Sequence, residues 1–359
     1  MPERNTVFDR LAKWIADGIA RRFAKRFANG ITKKQALNFV LNNAVVIILV
    51  IVSGVIGVLR PSFISVVNAN NLITNTSVRF IIALGVSGCL ITKGTDLSAG
   101  RAVGLAACLS ATFLQSAAYS GKVYPNLGDL PIILVLFGVI LIAVIIGAIN
   151  GSVIAFLNVP PFIATLGMQT IIYGICQIFT GSKPIGGLRD DYKNISAGAV
   201  NDIMLLPYLG LFALACGLAV WFIFNITAHG KYMYAIGGNE SAAEVSGINT
   251  ILTKIIIYVM AGFLYGLAGF LLGAKAGGSS VGIGFGYELE AIAGCTIGGV
   301  STNGGVGRVS GILIGVLVFE LLKIAMSFIN VEPSYTYIVQ GIVIITAVAI
   351  DMRKYIARK

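Results

Sequence analysis

Charge is what this chain has least of. Asp, Glu, Lys and Arg make up 11% of its 359 residues, against about 25% in soluble domains. Histidine occurs once, at position 229, and a lone loop histidine is ordinarily solvated rather than catalytic. No HExxH, no paired-histidine metal site and no nucleophile elbow are present, so the chain carries no enzyme signature. A phosphate loop of the form GxxxxGKS or GxxxxGKT is missing too. Any ATP that drives this protein must therefore bind another chain. CxxC pairs are lacking. Cys89, Cys108, Cys176, Cys216 and Cys295 all sit in apolar stretches and read as buried free thiols, not as a disulfide frame or a metal site. Gly282, Gly284 and Gly286 of GIGFG lack the strand context of a nucleotide fold and read as a loop. A cleavable signal peptide is not expected, because the basic N-terminal segment is too long and no small-residue cleavage site follows the first apolar run.

Long apolar runs fill the space that charge leaves. Ala44 to Leu59 reads AVVIILVIVSGVIGVL without one charge, and a run of about 20 apolar residues spans the hydrocarbon core of a bilayer. Spans are expected near 40–59, 75–93, 97–118, 131–157, 161–180, 204–225, 254–274, 286–300, 305–328 and 335–351. The expected fold is an all-α polytopic membrane protein with about ten transmembrane helices, including two broken or re-entrant segments. The expected organisation is a basic cytoplasmic segment 1–39, a transmembrane domain 40–353 with a cytoplasmic loop 226–253, and a basic tail 354–359.

The net charge of +11 concentrates at both ends, which is the orientation signal of membrane insertion rather than a nucleic-acid surface. An even number of spans with basic termini places both ends in the cytoplasm. Phe8, Leu11, Ile15, Ile19, Phe23 and Phe27 recur at helical spacing opposite Arg and Lys. Two readings fit this segment: an amphipathic helix on an anionic leaflet, and a disordered basic tail.

Two stretches look interrupted. TKGTDLSAGR (92–101) and GGVSTNGGVGRVSG (298–311) place Gly, Ser, Thr and Asn between apolar runs. Irregular backbone at depth must be buried in protein or line a wet cavity. Gly100, Arg101 and Gly104 match Gly307, Arg308 and Gly311. The match fits either a weak internal repeat or two ordinary glycine-rich turns. Candidate pathway or gating residues are Asp96, Ser98, Arg101, Glu288, Glu290, Ser301, Asn303 and Arg308, since polar side chains within spans are costly and mark function or pairing. Glu320 and Lys323, three apart on one helix, are expected to pair with each other. Arg79 is assigned to the external side. No acid cluster suggests a proton relay.

Small-residue stripes are expected to pack helices: Gly262, Gly266, Gly269 and Gly273 on one span, Gly307, Gly311 and Gly315 on another, and Gly147 with Gly151 on a third. In the loop after the sixth span, Asn239 is placed to cap a short helix. Glu240 falls in its first turn, and Gly247 supplies a left-handed stop. Gly237, Gly238, Ala242, Ala243 and Ser246 complete a compact segment. It suits docking into a partner's cleft and equally a plain capped turn.

GTDLSAGRAVGLAA (94–107), NVPPFIATLG (158–167), YAIGGNESAAEVSGIN (234–249) and YELEAIAGCTIGGVSTNGGVG (287–307) resemble the membrane permeases of ATP-binding-cassette sugar importers of the ribose/galactose class. GTDLSAGR is closer to the galactose/methyl-galactoside branch. The resemblance runs from about residue 40 to 355. It implies a homodimeric permease in the bacterial inner membrane that passes a monosaccharide by alternating access. It also implies a cytoplasmic ATPase with two fused nucleotide-binding domains, which holds ATP and magnesium, and a periplasmic sugar-binding protein. The chain itself is expected to hold no cofactor and no metal. The Asn239–Gly247 segment would contact the ATPase. The alternative is a secondary sugar transporter working alone.

Overall fold

The computed structural model describes residues 44–356. The basic segment 1–39 and the last three residues lie outside the described residues. The chain divides into two compact units, 1–50 and 51–359. Of the first, only the opening of α1 (Ala44–Leu59) is described.

The second unit carries the other helices. These are α2 (Val66–Ile91), α3 (Ala99–Phe113), α4 (Ile132–Phe156), α5 (Pro161–Thr180), α6 (Asp190–Ala197), α7 (Tyr208–Ile226), α8 (Ala228–Gly238), α9 (Glu240–Val245), α10 (Thr250–Ala276), α11 (Tyr287–Ile297), α12 (Val309–Phe328) and α13 (Pro333–Ile356). Among the described residues there is no strand, only three isolated bridges. Local chemistry sets the ends. Ser65 caps α2 by accepting from Asn68 N–H at 3.2 Å. Pro161 opens α5, where its missing N–H costs nothing. Asn249 caps α10 through Leu252 N–H at 2.9 Å.

Six described helices are long and apolar enough to cross a membrane: α2, α4, α5, α7, α10 and α12. Each of the ten expected apolar stretches carries a helix, but ten full spans are not seen. For two of the four others, α3 and α11, the shortfall has a physical reason. α3 has 15 residues and α11 has 11. At 1.5 Å per residue these cover about 22 and 16 Å, short of a hydrocarbon core of about 30 Å. Irregular backbone takes the rest of each stretch, glycine-rich at the C-terminal end of α11.

α2 and α10 form the buried centre, while α4, α5 and α7 expose most of their apolar surface. This is inverted relative to a soluble protein and fits lipid as the outer solvent. α10 packs on α4, α3 and α2, and α2 packs on α11, α12 and α10. α5 lies on α3 as α13 lies on α11. Exchanging α2–α5 for α10–α13 in order therefore reproduces the packing. The packing pairs α3 with α11. The Gly-Arg-Gly match at 100–104 and 307–311 falls instead on α3 and α12, so it is not the register of this correspondence.

Glycines set the closest approaches. A Cβ on Gly262 or Gly266 would strike α4 backbone at Ala143 or Ile140, and one on Gly269 or Gly273 would meet α3 at Val103–Ala107. Gly311 and Gly315 lie against Gly298 and Gly294, and Gly307 against Ile91.

Candidate functional site

The first interruption is a turn held from three sides. After α2 ends, Gly94 N–H donates to Cys89 O at 2.8 Å. Asp96 is buried and accepts from both Ser98 N–H (3.0 Å) and Ser98 Oγ (2.6 Å). Asn150 of α4 donates to Ser98 Oγ at 2.9 Å. From α5, Thr165 Oγ1 accepts from Leu97 N–H and donates to Thr95 O, both at 3.1 Å. The non-helical backbone that lipid could not satisfy is thus satisfied by protein.

A further irregular segment, 277–286, precedes α11. Its residues run antiparallel along α3. Cys108 Sγ lies 3.2 Å from Ser279 Oγ, Arg101 Nη1 donates to Val281 O at 3.0 Å, and Gly104 faces Ile283 O. Gly100 meets Gly284 O and the Glu288 carboxylate. The N-termini of the two short helices α3 and α11 therefore face each other. Gly284 sits at φ +81° and Gly286 at φ +79°, backbone that a side chain would strain. Arg101 is also stacked on Tyr173 (4.4 Å) and Phe285 (5.0 Å). Glu288 Oε2 is buried with no hydrogen-bond partner. The structure thus brings Arg101 and Glu288 to one place.

Glu290 belongs to a different constellation. Arg79 Nε lies 2.7 Å from Glu290 Oε2 and 3.1 Å from Glu320 Oε2, while Lys323 Nζ lies 3.0 Å and 3.3 Å from the same two oxygens. Arg79 also covers the Tyr287 ring at 4.8 Å. Two acids and two bases from α2, α11 and α12 form one network. The expected Glu320–Lys323 pair exists, but as one edge of that network. Arg79 is not in an external segment: it lies 13 residues into α2, about 20 Å along the helix. Sequence reasoning passed over it. Its signal was a lone cation in a run otherwise free of charge.

The remaining expected pathway residues gather elsewhere. Ser301 N–H bonds Val306 O at 3.0 Å, Asn303 N–H bonds Ser301 Oγ at 3.2 Å, and Arg308 is the extended residue that opens α12. This second interruption touches the short helices α8 and α9. Gly305 N–H donates to Ile91 O at 2.8 Å, and Tyr234 Oη of α8 donates to Gly307 O at 3.0 Å. Gly237 is wedged against Ile91 O and Gly305. Lys93 Nζ, at the start of the first interruption, donates to Gly238 O at 3.2 Å. The α8–α9 segment therefore grips the end of α2 and both interruptions.

α9 is a capped helix of six residues. Asn239 Oδ1 accepts from Ala242 N–H at 3.1 Å, and Glu240 pairs with Lys254. Ser246 Oγ donates to Ala242 O at 2.7 Å. Gly247, at φ +85°, bonds Glu244 O at 2.9 Å, and Ile248 N–H returns to Ala243 O at 3.1 Å. The stop is a left-handed C-cap. The faces matter. Ala243 is 4% exposed and points into its own chain, whereas Val245 is 90% exposed. Ser241, Ala242, Glu244, Val245 and Ser246 are all exposed. His229, expected in a solvated loop, lies in the first turn of α8 with Nε2 buried.

Among the described residues no group of His, Cys, Asp and Glu could hold a metal ion. Helices interrupted at facing N-termini, apolar outside and tied to an exposed capped helix, describe a multi-pass membrane transport subunit. The chain belongs to the family described as branched-chain amino acid transport system / permease component, which it matches over residues 68–348. It is 43% identical over 335 residues to the galactose/methyl galactoside import permease protein MglC of Haemophilus influenzae, covering 92% of this chain and 100% of the relative. The MglC of Escherichia coli is 42% identical over the same shares. The ribose import permease protein RbsC of Haemophilus influenzae is 33% identical over 318 residues, 88% of this chain and 95% of the relative. No solved structure matches it.

Proposed function

We propose that this chain is the permease subunit of an ATP-binding-cassette importer that passes galactose or a methyl galactoside across the bacterial inner membrane. The observation that carries the reading is the 42–43% identity to galactose/methyl galactoside import permeases along their whole length. Two copies form the pathway. A cytoplasmic ATPase with two fused nucleotide-binding domains holds ATP and magnesium and drives it, and a periplasmic binding protein delivers the sugar. The chain crosses the membrane ten times, with α3 and α11 as the short halves of broken passes, and both termini are cytoplasmic.

The geometry suits this division of labour. α9 offers an outward apolar side chain to the ATPase. Movement of α9 reaches α8, and through Gly237, Gly238 and Tyr234 it reaches the end of α2 and both interruptions. Those interruptions carry Asp96, Ser98, Ser301, Asn303 and Arg308. Alternating access then follows from repacking at glycine contacts too close to deform gradually. The test is complementation. A bacterium that lacks its own galactose permease, given this chain with its ATPase and binding protein, takes up labelled methyl galactoside. Absence of uptake with all three proteins in the membrane fraction refutes the reading.

A further inference from the structure

The charge network does not close on itself. It lines a cavity of about 290 Å³ between α2, α11, α12 and α13, with Arg79, Glu290 and Lys323 on its wall. That volume lies just below the usual range of small-molecule sites, about 300–1,000 Å³, which suits a ligand as small as one sugar ring. Gln340 of α13 also lines it. The residue is 7% exposed, and its amide atoms are not among the buried side-chain atoms that lack a partner, so the amide reaches the open space of the cavity. The aromatic rings of Phe285 and Tyr337 are also part of the wall, and both residues are largely exposed.

The chemistry selects a ligand class. Arg79 and Lys323 balance Glu290 and Glu320, so the network has no net charge to attract an ion. Lys275, nearby on α10, is engaged by Asn75 and is not part of the wall. Planar guanidinium, carboxylate and amide groups hydrogen-bond vicinal hydroxyls in pairs. Aromatic faces suit the apolar C–H face of a sugar ring.

We infer that this cavity is a resting site for a neutral monosaccharide within the permease, with Gln340 and Tyr337 as contact residues. The inference rests on the sugar-importer reading and adds a place for the sugar that does not depend on the binding protein. The test uses full-length protein in nanodiscs. Saturation-transfer NMR with galactose is recorded for the parent, for Gln340→Leu and Tyr337→Ala, and for Phe137→Leu on the exposed flank of α4 as a control. Each variant is checked for parent-like size-exclusion elution. The expected result is a galactose signal in parent and control that falls about fivefold or more in both cavity variants, the scale of one lost neutral hydrogen bond. An undiminished signal in both cavity variants, or no signal in the parent, overturns the cavity site. Uptake by the complete importer, reconstituted from the same purified proteins into sealed proteoliposomes, separates the two readings. Uptake by the parent without cavity-dependent binding leaves the importer standing and removes the site. No uptake by the parent removes the importer reading.

Discussion

Val245→Asp places one carboxylate where an ATPase would meet α9. Val245 is 90% exposed, so its apolar surface is free for a partner to cover. Fully burying a side chain of this kind contributes about 1.5–3 kcal/mol, and 1.4 kcal/mol is about tenfold in affinity. Loss of that contact alone weakens docking by about 10- to 100-fold, and the buried charge adds to it. The folded chain should lose little, within about 0.5 kcal/mol, because an exposed side chain touches little of its own protein. The assay is titration of the purified ATPase onto permease nanodiscs, with thermal unfolding of the same sample. Affinity falls at least tenfold and the melting temperature stays put. Unchanged affinity refutes the docking face. Ala243→Arg answers a different question. At 4% exposure the new side chain must push into the permease itself, so this variant loses stability before it reports on docking.

Other perturbations have equally definite outcomes. Gly237→Ala drives a Cβ into Ile91 O and Gly305; the overpacking costs about 1–3 kcal/mol, visible as a lower melting temperature and reduced uptake. Glu320→Gln leaves Arg79 and Lys323 sharing one carboxylate and destabilises by about 3 kcal/mol. Adding Lys323→Met recovers part of that loss, and a double-mutant cycle on thermal unfolding measures the coupling. Ser98→Ala removes the hydroxyl that joins Asp96 to Asn150 and costs about 1–3 kcal/mol, read as earlier unfolding in detergent.

The sequence displayed whatever depends on neighbours along the chain. Apolar runs located most of the expected helices within about five residues, and α5 begins and ends where expected, but α2 starts at Val66 rather than near 75. The Asn239 cap and the Gly247 stop were legible because both are local hydrogen-bond chemistry. Pairing across the chain was not. Arg79 and Glu290 are 211 residues apart, and no local pattern joins them. Nor could a six-residue helix announce that Ala243 faces inward and Val245 outward, since that depends on what lies beneath. Six described helices are long and apolar enough to cross, and apolar composition did not reveal where irregular backbone shortens the helix within a stretch. α11 occupies 11 residues of a stretch expected to span. The loop at GIGFG was legible, but its partners were not: Ser279 exchanges backbone hydrogen bonds with Ile185 and Val281 O accepts from Arg101 of α3, both far away in sequence.

Transport by sealed vesicles tests the central claim most directly. Labelled galactose is supplied to proteoliposomes that hold this chain alone, and to others that also hold its ATPase, binding protein and ATP. The account predicts accumulation against a gradient only in the complete set. Accumulation by the chain alone would contradict it.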